Sequence, residues 1–336
     1  MLVDGGIGLD PSDAVETARR AEEDGFDGVW CAETGHDPFL PLLLAAEHTE
    51  RVALGTGIAV AFARNPMSMA MVANDLQRYS EGRFMLGLGS QIRPHIEKRY
   101  SMPWSEPAAR MREYIAALHA IWDAWNSGGR LRFKGDFYTH TLMTPMFDPG
   151  PNPYGAPKVF LAAVGPLMTE VAGEVADGLL AHGFTTERYM REVTMPALER
   201  GLERSGRARK DIEISYPAMI VTGSDEAEMQ RASAAVKAQL AFYGSTPAYL
   251  PVLALHGWGD LHVELNRLSK RGQWTQMAEL IGDDVVDGFA VVAPPEDVPG
   301  ALAERFGDMV TRISFYAPYR MPRERWHGLL EGLRAS

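Results

Sequence analysis

Cysteine is almost absent from this 336-residue chain. The single Cys31 rules out an internal disulfide framework and fits a reducing compartment. Basic residues are outnumbered, 33 against 44 acidic, for a formal net charge of −11. That balance argues against a nucleic-acid partner held by a broad basic surface. No apolar run approaches the ~18–20 residues of a membrane span. The opening "MLVDGGIGLDPSDA" lacks the basic and apolar regions of a secretory signal. These absences lead us to expect a cytoplasmic protein with neither membrane nor nucleic-acid partner. Catalytic signatures are missing too. There is no H-E-x-x-H and no paired cysteine, so no metal is expected. G-x-S-x-G is absent, which leaves a hydrolase elbow unsupported. In "GLGSQI" the third glycine of a dinucleotide fingerprint is replaced by Ile92.

What is present is alternation. Short apolar strands are expected at 28–33, 52–60, 83–89, 158–165, 178–183, 212–222 and 311–317, with one more at the N-terminus. Helices are expected between them at 12–24, 39–49, 67–79, 105–126, 166–176, 186–204, 225–241 and 296–307, and a terminal helix from Pro322. Ser12 is read as the first N-cap. In 105–126, Ile115, Leu118, Ile121, Trp122 and Trp125 recur at helical steps. About eight strand–helix units argue an α/β protein, a (β/α)8 TIM barrel in one domain over 1–336. An open doubly wound sheet is the alternative. Two irregular insertions, near 128–157 and 242–288, interrupt the alternation, the second with a short helix near 273–282.

In such a barrel the chemistry lies just after each strand. After strand two come Glu33, His36 and Asp37, an acid–base set or, for Asp37 before Pro38, a helix cap. After strand three lies "LGTGIAVAFARNP", a core strand weakened by glycines, which mark a bulge or a close backbone approach. After strand four come Ser90, Gln91, Arg93 and His95. Gly165-Pro166 opens a helix whose free N–H groups suit either an ordinary helix start or a phosphate. His182 and Gly183 follow strand six. Cys31, inside a strand, reads as packed.

Four stretches in order, "GTGIAVAFARNP", "DLQRYSEGRFMLGLGSQ", "VFLAAVGPLMTEVAGEVADGLLAHGF" and "FAVVAPPEDVPGALAERF", resemble the luciferase-like monooxygenase superfamily over about residues 2–320. The stretches "RPHIEKRYSMPWSEPAARMREYI" and "FYGSTPAYLPVLALHGWGD" look like its coenzyme F420-dependent oxidoreductase branch. The resemblance implies a luciferase-like barrel, often a homodimer, acting on a small-molecule substrate. It implies a cis Gly57–Ile58 peptide under a tricyclic ring, with Val60 beside it. Ser90, Gln91 and His95 would line the ring or its side chain. Val164, Gly165, Leu167 and Met168 would meet the coenzyme's phosphate. Ala59 and Ala61 would leave room around the ring, and the bulge would face the largest pocket. His36, assisted by Glu33, would transfer the proton, with His95 in reserve. Two features depart from sugar-phosphate dehydrogenases of this branch: Ile92 replaces an acid, and Thr34 follows the strand-two acid where they carry histidine. FMN in a two-component monooxygenase is the alternative cofactor, and a non-catalytic flavin-binding barrel the third reading.

Overall fold

The computed structural model describes residues 1–335. The eight parallel strands are β1 (Leu2–Gly6), β2 (Gly28–Cys31), β3 (Ala53–Thr56), β4 (Phe84–Gly89), β5 (Lys158–Ala163), β6 (Gly178–Ala181), β7 (Glu213–Val221) and β8 (Arg312–Tyr316). Most read as buried apolar runs, as parallel strands under helices do; β1 (LVDGG) and β8 (RISFY) carry polar residues and are only partly buried. The chain divides into two compact units. One comprises Asp4–Leu180 with Ala197–Glu213; the other comprises Met1–Val3, Ala181–Pro196 and the chain from Ile214 on.

In the first unit the strands neighbour one another in chain order, from β1 to β6. A doubly wound sheet would reverse its order at a switch point. No reversal occurs here, and the fold is a (β/α)8 barrel. The helix Pro107–Ser127 buries Ile115, Leu118, Ile121, Trp122 and Trp125, the residues its spacing selects. Trp122 also donates its indole N–H to the Ala70 carbonyl at 3.1 Å, so this large ring is buried without an orphaned donor. Helix Pro11–Asp24 is capped by Asp10 rather than Ser12. Pro11 takes the first helical position, and the Asp10 carboxylate accepts the Ser12 N–H at 2.9 Å.

In the second unit β7 lies between β8 and a short strand, Ala290–Val292, that pairs with Met219–Val221. The sequence pattern did not separate this strand from the insertion before it. The insertion itself is not irregular. It folds as four short helices, Leu250–Leu255, Gly259–Ser269, Trp274–Glu279 and Asp283–Phe289. Leu253, Leu265, Leu268, Met277, Val286 and Phe289 form a core with Val236 and Leu240 of helix Glu226–Gly244. Trp274–Glu279 is the short helix expected near 273–282; the other three span too few turns for their periodicity to stand out from the breakers around them. In the first unit the 128–157 segment holds the expected hairpin, Phe133–Lys134 with Thr139–His140.

Candidate functional site

Strand β3 does not continue to Val60 as one run. It pairs with β4 at Leu54–Phe84 and Gly55–Met85. Pairing resumes at Ala59–Leu88 and Val60–Gly89. The chain therefore advances four residues on one side (55 to 59) against three on the other (85 to 88), which is a β-bulge. The Gly57–Ile58 peptide inside it is cis. Thr56 replaces the missing ladder: its hydroxyl donates to the Gly87 carbonyl at 2.7 Å and accepts the Gly87 N–H at 2.9 Å. Thr56→Val keeps the shape and orphans both groups. We expect it to cost about 1–3 kcal/mol in urea unfolding; a cost near zero would mean that the hydroxyl does not bridge the gap.

The bulge is also held from the end of β2. The Gly57 N–H donates to the Cys31 carbonyl at 2.8 Å, and the Glu33 N–H donates to the Ile58 carbonyl at 3.2 Å. The Glu33 side chain, only 5% exposed, accepts three further bonds. Its carboxylate takes the Val60 N–H at 2.8 Å, Arg64 Nη1 at 2.7 Å and the Tyr100 hydroxyl at 2.9 Å. Arg64 also reaches Asp37 at 2.8 Å, and Asp37 accepts the Phe39 N–H at 2.9 Å as a helix cap would. Burial works against the Arg64 charge, but Glu33 and Asp37 outweigh it and hold this guanidinium above its ordinary range. Burial, and then the bond to Glu33, pushes the Tyr100 phenol up. Arg99 ties the loop after β4 to the Thr34 carbonyl at 2.5 Å.

Arg64 and Tyr100 were not singled out in the sequence. Arg64 read only as part of the stop "ARNP", and Tyr100 as part of a loop. The available signal was one arginine and one tyrosine beside apolar strand ends that also offer an acid.

Around this brace, exposure is uneven. Thr56, Ala59, Val60 and Ala61 are completely buried, whereas Gly57 and Ile58 are half-buried. Ala59 and Ala61 are thus packing residues, not open space around a ring. The exposed surface of the bulge is Gly57–Ile58 itself. Ser90 and Gln91 follow β4 and are half-buried, Gln91 with φ of 60°. The Gln91 side chain accepts the Ile92 N–H at 3.0 Å, and Ser90 donates to the Gln91 carbonyl at 3.1 Å. His95 opens a turn of π-helix, His95–Arg99, and is exposed. His36 is exposed in the loop after β2, with no side-chain hydrogen bond among the described residues. Arg93 pairs with Glu97 at 3.0 Å on the surface.

After β5, Val164 and Gly165 are half-buried, and helix Pro166–Val175 begins. A Cβ added to Gly165 would meet nothing within 4 Å, so open space lies before it. Thr169 N–H already bonds to the Gly165 carbonyl, and Pro166 has no N–H. Leu167 and Met168 supply the first-turn N–H groups that lack an intrahelical acceptor. A half-exposed bulge and an open helix start, both at strand ends, fit a flat ring carrying an anionic tail. The bulge lines neither the cavity bounded by the 130–141 hairpin nor the one bounded by the 222–232 and 319–325 segments. No cluster of ligating side chains among the described residues could hold a metal. Cys31 is fully buried, and burial lifts its thiol to about 11, as befits packing rather than attack. No helix among the described residues is long and apolar enough to cross a membrane.

The second unit has its own strand-end cluster. His182 directly follows β6, and its Nδ1 accepts the Phe184 N–H at 2.9 Å. The ring proton therefore sits on Nε2, which donates to the Tyr249 hydroxyl at 3.0 Å. Tyr249 stacks on His182 at 4.6 Å, and Tyr243 meets it edge-on at 4.9 Å. Tyr243 and Tyr316 share a hydroxyl–hydroxyl bond of 2.9 Å. Burial lowers His182 from 6.5 to about 4 and lifts Tyr249 to about 12. The native state thus binds fewer protons here than the unfolded chain does between those pH values. Its stabilising contribution is complete above pH 6.5 and fades as pH falls toward about 4. We expect His182→Gln to flatten the acid limb of a stability–pH curve measured by denaturant unfolding. An unchanged limb would contradict the buried, neutral assignment.

Comparison with known proteins agrees with this geometry. The family model for luciferase-like monooxygenase matches residues 3–312. An uncharacterised protein of Mycobacterium tuberculosis (strain H37Rv) is 59% identical over 313 residues, covering 93% of this chain and 92% of its own. A putative coenzyme F420-dependent oxidoreductase of the same organism is 31% identical over 307 residues, covering 87% of each chain. Among solved structures, the coenzyme F420-dependent tetrahydromethanopterin reductase of Methanopyrus kandleri superposes with a TM-score of 0.79. It is 21% identical, and the match covers 98% of this chain and 96% of that one.

Proposed function

We propose that this chain, which belongs to the luciferase-like monooxygenase family, is a coenzyme F420-dependent oxidoreductase acting on a small organic molecule. The observation that carries the reading is the Gly57–Ile58 bulge, the half-exposed stretch of an otherwise buried strand end, clamped by Glu33. The name of the 31%-identical relative supports the cofactor. When bound, the deazaflavin supplies or accepts a hydride at C5. Gly57 and Ile58 would seat the ring. Ser90, Gln91 and His95 would border it, with Val60 fixing the bulge through its N–H. Val164, Gly165, Leu167 and Met168 would bind the phosphate through backbone N–H groups. Glu33 holds the seat in shape. Its carboxylate is saturated by three donors, so it is a positioning residue in this reading.

The proton that accompanies the hydride is assigned to His36. Its ring is exposed and makes no side-chain hydrogen bond among the described residues, with the Asp10 carboxylate as a charged neighbour, so either nitrogen can meet a substrate oxygen. With a carbonyl substrate His36 would give its proton to the oxygen, and with an alcohol it would take that proton back. The test is hydride transfer, followed by deazaflavin fluorescence, against a panel of alcohol, carbonyl and enoyl compounds. With a turned-over substrate, His36→Ala should lower kcat by about 10²–10⁴ while leaving cofactor affinity intact. Full kcat in that variant would pass the role to His95. The family description also favours a second reading, an FMN-dependent monooxygenase. That reading predicts a yellow protein that consumes oxygen when supplied with reduced FMN.

A further inference from the structure

In the second unit a cavity of about 180 Å³ lies between the chain after β7 and the chain after β8. Its walls are Thr222, Glu228, Arg231, Tyr319, Arg320 and Arg325, with Ala232, Met321 and Pro322 as apolar floor. The way the chain builds it is specific. The Tyr319 hydroxyl accepts the Thr222 N–H at 3.0 Å and donates to the Ile220 carbonyl at 3.0 Å. These two hydrogen bonds tie the phenol to the end of β7 and bring residues 319–322 over the strand end. Thr222 is 1% exposed, and its Oγ1 has no hydrogen-bond partner. A buried hydroxyl without a partner has lost its water and gained nothing in exchange, so a native structure that retains one invites an explanation.

The charges around this hydroxyl supply one. Arg325 gives Nη1 to Glu228 at 2.9 Å and Nη2 to the Ser224 hydroxyl at 2.7 Å. Glu228 also accepts the Ser224 N–H at 2.8 Å. Its charge is therefore balanced locally. Arg231 lies near enough to Glu228 to help hold its carboxyl low, but neither it nor Arg320, both exposed, makes an ion pair or hydrogen bond among the described residues. Three arginines against one glutamate leave the cavity with an excess of two positive charges, in a chain whose formal net charge is −11. Guanidinium groups present forked donors that match tetrahedral and carboxylate oxyanions. In (β/α)8 barrels the loops after strands seven and eight recurrently hold phosphate.

We infer that this cavity is a binding site for a phosphate-class oxyanion, either free phosphate or the headgroup of a phosphate monoester, held by Arg231, Arg320 and the Thr222 hydroxyl. Arg325 is the structural arginine that neutralises Glu228. The oxyanion accepts the bond that Thr222 now lacks, and the apolar floor leaves room for a short carbon stem. The site is separate from the Gly165–Met168 helix start and does not depend on which cofactor the protein uses.

The test is titration of the full-length protein with inorganic phosphate, glycerol phosphate and acetate, read by calorimetry and by 31P line broadening. We expect saturable binding of both phosphates, weakened by added salt. Arg231→Gln and Arg320→Gln should each raise Kd about fivefold or more, and the pair together about twentyfold or more. Thr222→Val should raise Kd about threefold while leaving the unliganded protein as stable or more so, because it removes an unmatched hydroxyl. Binding of glycerol phosphate alone, with the same response to the variants, also supports the site and names the ester as its ligand. Circular dichroism of each variant separates lost binding from lost fold, and a folded Arg231→Gln protein that binds phosphate like the parent overturns the inference. No saturable binding of either inorganic phosphate or glycerol phosphate by the parent, or acetate bound as tightly as the phosphate that binds, overturns it as well.

Discussion

A Gly87→Ala protein should be severely destabilised, although it differs by one methyl group. The added Cβ would lie 1.8 Å from the Thr56 carbonyl oxygen and 3.0 Å from its carbon. That oxygen belongs to the backbone and cannot rotate away as a side-chain end does. Moving it pulls on the Thr56 hydroxyl, whose two bonds to Gly87 take the place of the ladder across the bulge. Overpacking and lost hydrogen bonds together should cost about 3 kcal/mol or more. Gly89→Ala provides the contrast. There the added Cβ meets only side-chain atoms, Ile58 Cδ1 at 2.8 Å and Cγ1 at 2.9 Å, which can move where a carbonyl cannot. Its cost should be nearer about 1 kcal/mol. The displaced Ile58 belongs to the exposed face of the bulge, so this variant should lose ligand affinity more than stability. Urea unfolding of the two proteins side by side checks both. Equal, small effects would mean that β3 and β4 do not approach as described.

The second large effect is expected at Glu33. Glu33→Ala removes one acceptor from each of three donors: the buried Val60 N–H, the Arg64 guanidinium and the Tyr100 hydroxyl. Arg64 keeps Asp37 and is 22% exposed, which softens the loss below that of a fully buried pair. A cost of about 2–4 kcal/mol follows, with Glu33→Gln nearer about 1–2 because its amide oxygen still accepts. Both variants should weaken cofactor binding, since Val60 lies two residues after the Gly57–Ile58 seat and its N–H is held by Glu33. The pH profile of kcat should keep its shape in Glu33→Gln, because this carboxylate moves no proton in our account. A profile that loses one limb while stability stays at the parental level would instead make Glu33 the acid or base.

Which parts of this were legible from residues alone follows a physical line. The alternation of apolar runs with helical spacing placed all eight strands and most helices, because each element carries its own periodicity. The clustering of Glu33 and His36 after a strand was visible for the same local reason. Arg64 and Tyr100 were not, since their meaning lies in bonds to Glu33 across 31 and 67 positions of sequence. Thr56 was hidden likewise, because one hydroxyl standing in for a ladder depends on a register slip that no local pattern encodes. Of the helices between 250 and 289 only Trp274–Glu279, near the expected 273–282, was foreseen, and the other three were missed for the opposite reason. They are local, but too short between their breakers to show a period.

The most direct measurement of the central claim is a parallel fluorescence titration of the purified protein with coenzyme F420 and with FMN, repeated on Glu33→Gln. The account predicts saturable deazaflavin binding, at least about tenfold tighter than FMN and weakened by the Glu33 change. Tight FMN binding with no response to deazaflavin would contradict it.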